Sequence, residues 1–192
     1  MKILKTAAAL PLLIGLLGAA QHPASNPAAP RNGAGVSTAD KAAAKAAHLT
    51  PEELVAKIHA LDAMEIRMGR LAQKKSRDPD VRRFGLLLER DHKVSDSKLQ
   101  EFARQTGIPM GVYKPDADDR AMEKQLSSLD GSAFDAAFVE HMKMGHEKAV
   151  KALSAARLST TNPKLSDFVG RLLPILTQHD RLAGKLQGKK LG

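Results

Sequence analysis

The sequence predicts an all-α fold, a four-helix bundle with an additional short helix in the long connection between its second and third helices. Four segments repeat apolar residues at intervals of three and four, the period of a helix face that packs against neighbours. Three of them open on a capping residue followed by proline: Thr50-Pro51, Asp78-Pro79 and Asn162-Pro163. No segment alternates apolar and polar residues as a half-buried strand does, and no Rossmann, phosphate-loop, HExxH or GxSxG pattern occurs.

The N-terminus stands apart from this pattern. Lys2 and Lys5 precede an apolar run from Ala7 to Leu17, and the small residues Gly18, Ala19 and Ala20 follow. Residues 1–20 therefore read as a signal peptide cleaved after Ala20, which predicts a periplasmic or secreted protein. Residues 21–49, rich in Ala, Pro and Gly, read as a flexible tether, and residues 50–188 as the bundle domain. No later apolar run is long enough to span a membrane once the signal is removed.

Helix one is predicted from the capping box Thr50-Pro-Glu-Glu53 to about Lys75, with the stripe Leu54, Ile58, Leu61, Glu65, Met68 and Ala72. Helix two starts at the Asp78 cap and stops at Gly107 and Pro109, with Val81, Phe84, Leu88, His92, Ser95, Leu99 and Phe102 along its face. The short helix is expected over Asp116 to Leu129. Helix three is expected to use Ser132 as its cap with Asp135 three residues on, and the stripe Phe134, Phe138, Met142, His146, Ala149 and Leu153. Helix four follows Asn162 with Leu165, Phe168, Leu172, Ile175, His179, Leu182 and Leu186.

Each stripe is interrupted once, near its middle, by an ionisable residue: Glu65, His92, His146 and His179. A buried polar group of this kind is costly unless it is hydrogen-bonded, paired or bound to a metal. Counting from the turns puts each hairpin's pair at matching heights, with the two hairpins offset by about three residues, roughly 4.5 Å, if their turns share one end of the bundle. Glu65 lies 13 residues before Asp78 and His92 14 after it, while His146 lies 17 before Pro163 and His179 16 after it. A mismatch of one residue is about 1.5 Å of helix rise. One glutamate and three histidines make a candidate site for one transition-metal ion, suiting zinc, copper or iron by ligand type. The competing reading is a network in which the four hydrogen-bond one another and specify how the helices pair. Glu89 and Asp91 flank His92 and have two readings: one of them orients the His92 imidazole, or both are helix-surface charges paired with Arg or Lys neighbours.

Composition narrows the function further. With no cysteine, the chain has no disulfide, thiol chemistry or cysteine metal ligand. Removing residues 1–20 takes two lysines from a formal net charge of +9 and leaves +7, a basic surface suited to anionic envelope components. Nucleic acid is not the expected partner, because one tyrosine and five phenylalanines are too few rings for base stacking.

Five short runs occur in order: AMEIRMGRLA from Ala63, ERDH ending at His92, GSAFDAAF from Gly131, GHEKAV from Gly145 and LPILTQH ending at His179. Together they resemble the domain-of-unknown-function family 4142, over roughly residues 52 to 187. The resemblance implies a ferritin-like four-helix fold and export in bacteria to the periplasm or outer membrane. Its pattern falls on Glu65, the Asp91-His92 pair, His146 and His179. Ferritin-like di-iron proteins use a Glu-x-x-His pair from each of two helices. This chain has that pair once, at Glu89 and His92, with Lys143 and Leu176 at the other corresponding positions, which argues against di-iron chemistry such as ferroxidase activity. The reading is an exported bundle that binds a metal rather than an enzyme; the alternative is an envelope-interaction protein with a polar packing centre.

Overall fold

The computed structural model describes residues 49–189. The expected signal peptide and all but the last residue of the expected tether lie outside them. Among the described residues five helices form: α1 (Pro51–Lys75), α2 (Pro79–Thr106), α3 (Ala117–Ser127), α4 (Gly131–Ser159) and α5 (Pro163–Gln187). The fold is all-α, with two helical hairpins, α1 with α2 and α4 with α5, closed into a bundle by α2 against α5 and α1 against α4. The short helix α3 lies in the long connection and touches α1 and α4.

Local chemistry sets most boundaries. Thr50 Oγ1 accepts from the Glu53 amide at 3.2 Å and Glu53 returns a carboxylate oxygen to the Thr50 amide at 2.9 Å, completing the capping box. Asp78 accepts from the amides of Asp80 and Val81, and Asn162 from that of Leu165. Gly107 ends α2 at φ 72°, the left-handed turn that glycine adopts without a Cβ clash.

The start of α4 departs from expectation. Ser132 is not the cap: the helix begins at Gly131, with Asp130 before it and no side-chain cap bond. Asp130 is drawn away to Lys75 at 3.1 Å, and Gly131 turns the chain at φ 57°. Asp135, expected near the helix start as a capping partner, is instead fully buried, with neither carboxylate oxygen hydrogen-bonded among the described residues.

The Lys75–Asp130 pair, together with Lys189 bonding Asp78 at 3.3 Å, places the start of α4 and the end of α5 beside the α1–α2 turn. The two hairpin turns therefore sit at opposite ends of the bundle. The connection from α2 must return along its length, and α3 makes that crossing, joined to α1 by the Arg67–Glu123 ion pair.

Two apolar clusters form the core. One contains Leu54, Ile58, Leu99, Phe102, Leu165 and Leu172; the other contains Met68, Phe84, Leu88, Phe134, Phe138 and Met142. The stripes hold with small shifts. Leu61, Ile175 and Leu182 are only half-buried, while Asp62, Leu176 and Ala183 are fully buried. A repeat of 3.5 residues drifts by about 20° over two turns of a 3.6-residue helix, so the inward row passes to the adjacent residue.

Below the middle of the first hairpin, α1 and α2 touch backbone to backbone. A Cβ on Gly69 would lie 2.5 Å from the Gly85 carbonyl oxygen, and one on Gly85 would lie 2.7 Å from the Gly69 carbonyl oxygen. Neither backbone can yield without separating the helices. Gly69→Ala and Gly85→Ala are each expected to destabilise the bundle by about 1–3 kcal/mol through overpacking. Urea denaturation measures this, and an unchanged midpoint would show that the helices do not approach so closely.

Candidate metal centre

Between the two apolar clusters lies a layer of polar side chains. Glu65 comes from α1, His92 from α2, His146 from α4 and His179 from α5, so each helix of the bundle supplies one. All four are no more than 1% exposed. One ring nitrogen from each histidine lies within 4.8 Å of one from each of the others. The ring centroids are 5.2 Å apart for His146 and His179, 5.3 Å for His92 and His179 and 6.1 Å for His92 and His146. Glu65 joins from the side, its Oε1 3.9 Å from His146 Nδ1, beyond hydrogen-bond range.

Each imidazole is held by one nitrogen. His92 Nδ1 bonds Asp62 Oδ1 at 2.7 Å, His146 Nδ1 donates to the Met142 carbonyl at 2.8 Å, and His179 Nε2 bonds Asp91 Oδ2 at 3.0 Å. A carbonyl only accepts, which fixes the His146 proton on Nδ1. The opposite nitrogens, His92 Nε2, His146 Nε2 and His179 Nδ1, are buried and have no partner among the described residues, and neither has Glu65 Oε2. Outer-nitrogen bonding with a free inner nitrogen is how metal-ligating histidines are oriented.

The flanking acids divide the two roles between them. Asp91 orients an imidazole, though that of His179 rather than its neighbour His92. Glu89 faces outward to Arg70, Gln73 and Lys93, whose hydrogen bonds pull its carboxyl down to about 2. It is thus no partner for His92 in a Glu-x-x-His metal pair. The acid that holds His92 is Asp62, which the stripe argument passed over. Its only sequence signal is its place three residues before Glu65, one turn away on nearly the same face.

Protonation in the layer follows from burial against charge. Burial raises the Asp62 carboxyl, with the bond from His92 opposing it. For His92 burial favours the neutral ring, but the bond to Asp62 and the charges of Glu65, Asp62 and Asp91 outweigh it and raise its pKa. The Asp62–His92 pair therefore holds its proton tightly. His179 moves the other way, down to about 4, through burial and repulsion from His146 and His92, against the bond from Asp91. Asp91 is lowered: burial acts upward, and its bonds to His179 and Arg90 prevail.

The sequence profile of a domain of unknown function, DUF4142, matches residues 36–186. The chain belongs to the DUF4142 family. No curated protein matches it in sequence. Among solved structures, this DUF4142 chain is similar to CopM in its Cu(II)-bound form, at 15% identity and a TM-score of 0.62, covering 73% of this chain and 97% of CopM. It is also similar to a DUF305 protein from Streptomyces coelicolor, provisionally described as secreted, at 16% identity and a TM-score of 0.61, covering 74% and 96%. At such identities the likeness is one of fold. Among the described residues, no helix is long and apolar enough to cross a membrane.

The shifts define an acid response for the metal-free protein. His179 binds a proton more readily unfolded than folded, so its contribution is complete above about pH 6.5 and is lost as pH falls through that value towards 4. His92 acts oppositely, favouring the fold below about pH 6.5 and losing that contribution as pH rises through its raised value. Urea midpoints from pH 7 to 4 are expected to fall in the wild type and to fall less in His179→Gln. Parallel curves would show that His179 is not held neutral.

Proposed function

We propose that this protein binds one divalent transition-metal ion at the centre of its bundle, as an exported metal-binding protein rather than an enzyme. The observation that carries this reading is the set of inner nitrogens on His92, His146 and His179 without a partner among the described residues, on three rings that each bring a nitrogen within 4.8 Å of the others; Glu65 stands outside that trio. A packing network would use these atoms on one another, whereas here each ring spends its bond outward and presents a lone pair or displaceable proton inward. His92 Nε2, His146 Nε2 and His179 Nδ1 are the proposed ligands, with Glu65 as the fourth donor.

Size and charge fit. Metal–nitrogen bonds of about 2.0–2.1 Å put tetrahedral ligand nitrogens about 3.3 Å apart, so nitrogens within 4.8 Å converge by small movements of the rings. A buried dication held by the three histidines would have Glu65 nearby, its Oε1 3.9 Å from His146 Nδ1, and Asp62 and Asp91 behind the rings as further carboxyl groups. Imidazole and carboxylate suit copper, zinc and iron, and among these the general affinity order puts Cu(II) first. The structural neighbour solved with Cu(II) shares the fold, which makes copper the first ion to test. Exposures of 0–1% leave little surface for a substrate, which favours holding an ion over turning one over. Export is supported by the N-terminal Lys2, Lys5 and apolar pattern.

Untagged protein loaded with Cu(II) or Zn(II) and analysed by metal mass spectrometry is expected to hold about one ion per chain, lost in His92→Ala and His179→Ala. Free metal at 100 times the Kd should stabilise the fold by about 2.7 kcal/mol, reversed by a chelator. Asp62→Asn, which leaves every proposed ligand in place, is expected to weaken binding about 10- to 100-fold. If no ion binds, the layer is a packing network, and the basic surface becomes the functional one, tested by salt-sensitive binding to anionic envelope polymers.

A further inference from the structure

The central layer is sealed, so an ion bound there needs a way in. The first hairpin carries a second histidine–carboxylate pair one turn away from the Asp62–His92 pair, towards the Thr50 end of the bundle. His59 Nδ1 bonds Asp96 Oδ1 at 2.6 Å, and the other Asp96 oxygen accepts from Gln100 at 2.8 Å. His59 precedes Asp62 by three residues on α1, and Asp96 follows His92 by four on α2, a spacing of about 5 Å along each helix. The two rungs are mirror images, histidine facing aspartate across the seam in opposite order.

They differ in exposure. The side chains of His59 and Asp96 are 21% and 16% exposed, against 1% and 0% for His92 and Asp62. With Nδ1 tied to Asp96, His59 has Nε2 left for a metal arriving from solvent. Between the rungs lies Asp62, one turn inward, whose buried Oδ2 makes no hydrogen bond of good geometry among the described residues and has the Ser95 hydroxyl beside it. Resting on the central site proposed above, we infer that His59 and Asp96 form a loading station, where a divalent cation binds transiently before passing by Asp62 to the three histidines.

A route through Asp91 is the rival, since that side chain is 18% exposed and touches His179. Arg90 bonds Asp91 at 2.8 Å, however, and sets a positive charge at that opening. Among the described residues, the Asp96 carboxylate has only His59 and the neutral Gln100 as side-chain partners. On a chain of formal net charge +9, an incoming cation gains from a local negative locus without an arginine attached.

Stopped-flow loading of the metal-free full chain with Cu(II), and chelator extraction of the loaded protein, test the assignment. In His59→Gln and Asp96→Asn, loading and extraction are both expected to slow about tenfold, with stoichiometry and Kd unchanged, because a way station alters the path and not its ends. Rates at the wild-type value in both variants would overturn it. So would faster loading with a lower melting temperature, which marks a pair that only holds the helices together. Weaker binding with faster release alone would make His59 part of the central site and also overturn it. If the wild type takes up no metal, the central site itself fails; if it loads normally and the variants load equally fast, only the loading station fails.

Discussion

Burial of a carboxylate and three imidazoles in one layer is the constraint around which this bundle is arranged. Each such group loses its hydration on folding and must recover the cost from specific partners. Asp62, Asp91 and the Met142 carbonyl recover part of it by bonding the outer nitrogen of each ring. Two of those partners are carboxyl groups that burial also penalises when ionised, and Asp62 is as buried as the histidine it holds. The apolar clusters on either side carry the hydrophobic stabilisation, and the polar layer interrupts it. Truncating one partner leaves a buried charge exposed to low dielectric, which makes these residues interdependent.

Pairing between helices follows the same logic. The Asp62–His92 bond ties α1 to α2, and the Asp91–His179 bond ties α2 to α5, one of the two contacts that join the hairpins. The layer is thus a connector as well as a candidate ligand set. A bound dication would displace protons from the inner nitrogens while the acids keep those on the outer ones, so metal affinity, pH and stability are linked through the same rings.

Much of this was legible from residue order, and the exceptions have physical causes. The caps at Thr50, Asp78 and Asn162 are local chemistry and appear where their sequence places them. Glu65, His92, His146 and His179 stood out because each breaks an apolar row, and counting from the turns placed each pair at one height. Asp62 did not stand out, since an aspartate beside Leu61 looks like the polar edge of the stripe; only the helix's rotation within the bundle turns it inward. Asp91 was visible as a candidate orienting acid, but its partner lies 88 residues away on another helix, a contact no local spacing encodes. The start of α4 was misplaced because Lys75, far off in sequence, claims Asp130.

The close approach of Gly69 and Gly85 bears on how such a protein can change over time. Register along the α1–α2 seam is set there by main chain against main chain, independent of the ionisable residues above it. Donor side chains in the central layer can then be exchanged, imidazole for carboxylate or thioether, without the helices sliding. The bundle is in that sense a jig: it fixes four heights and leaves the coordination chemistry free to diverge among descendants that keep the two glycines.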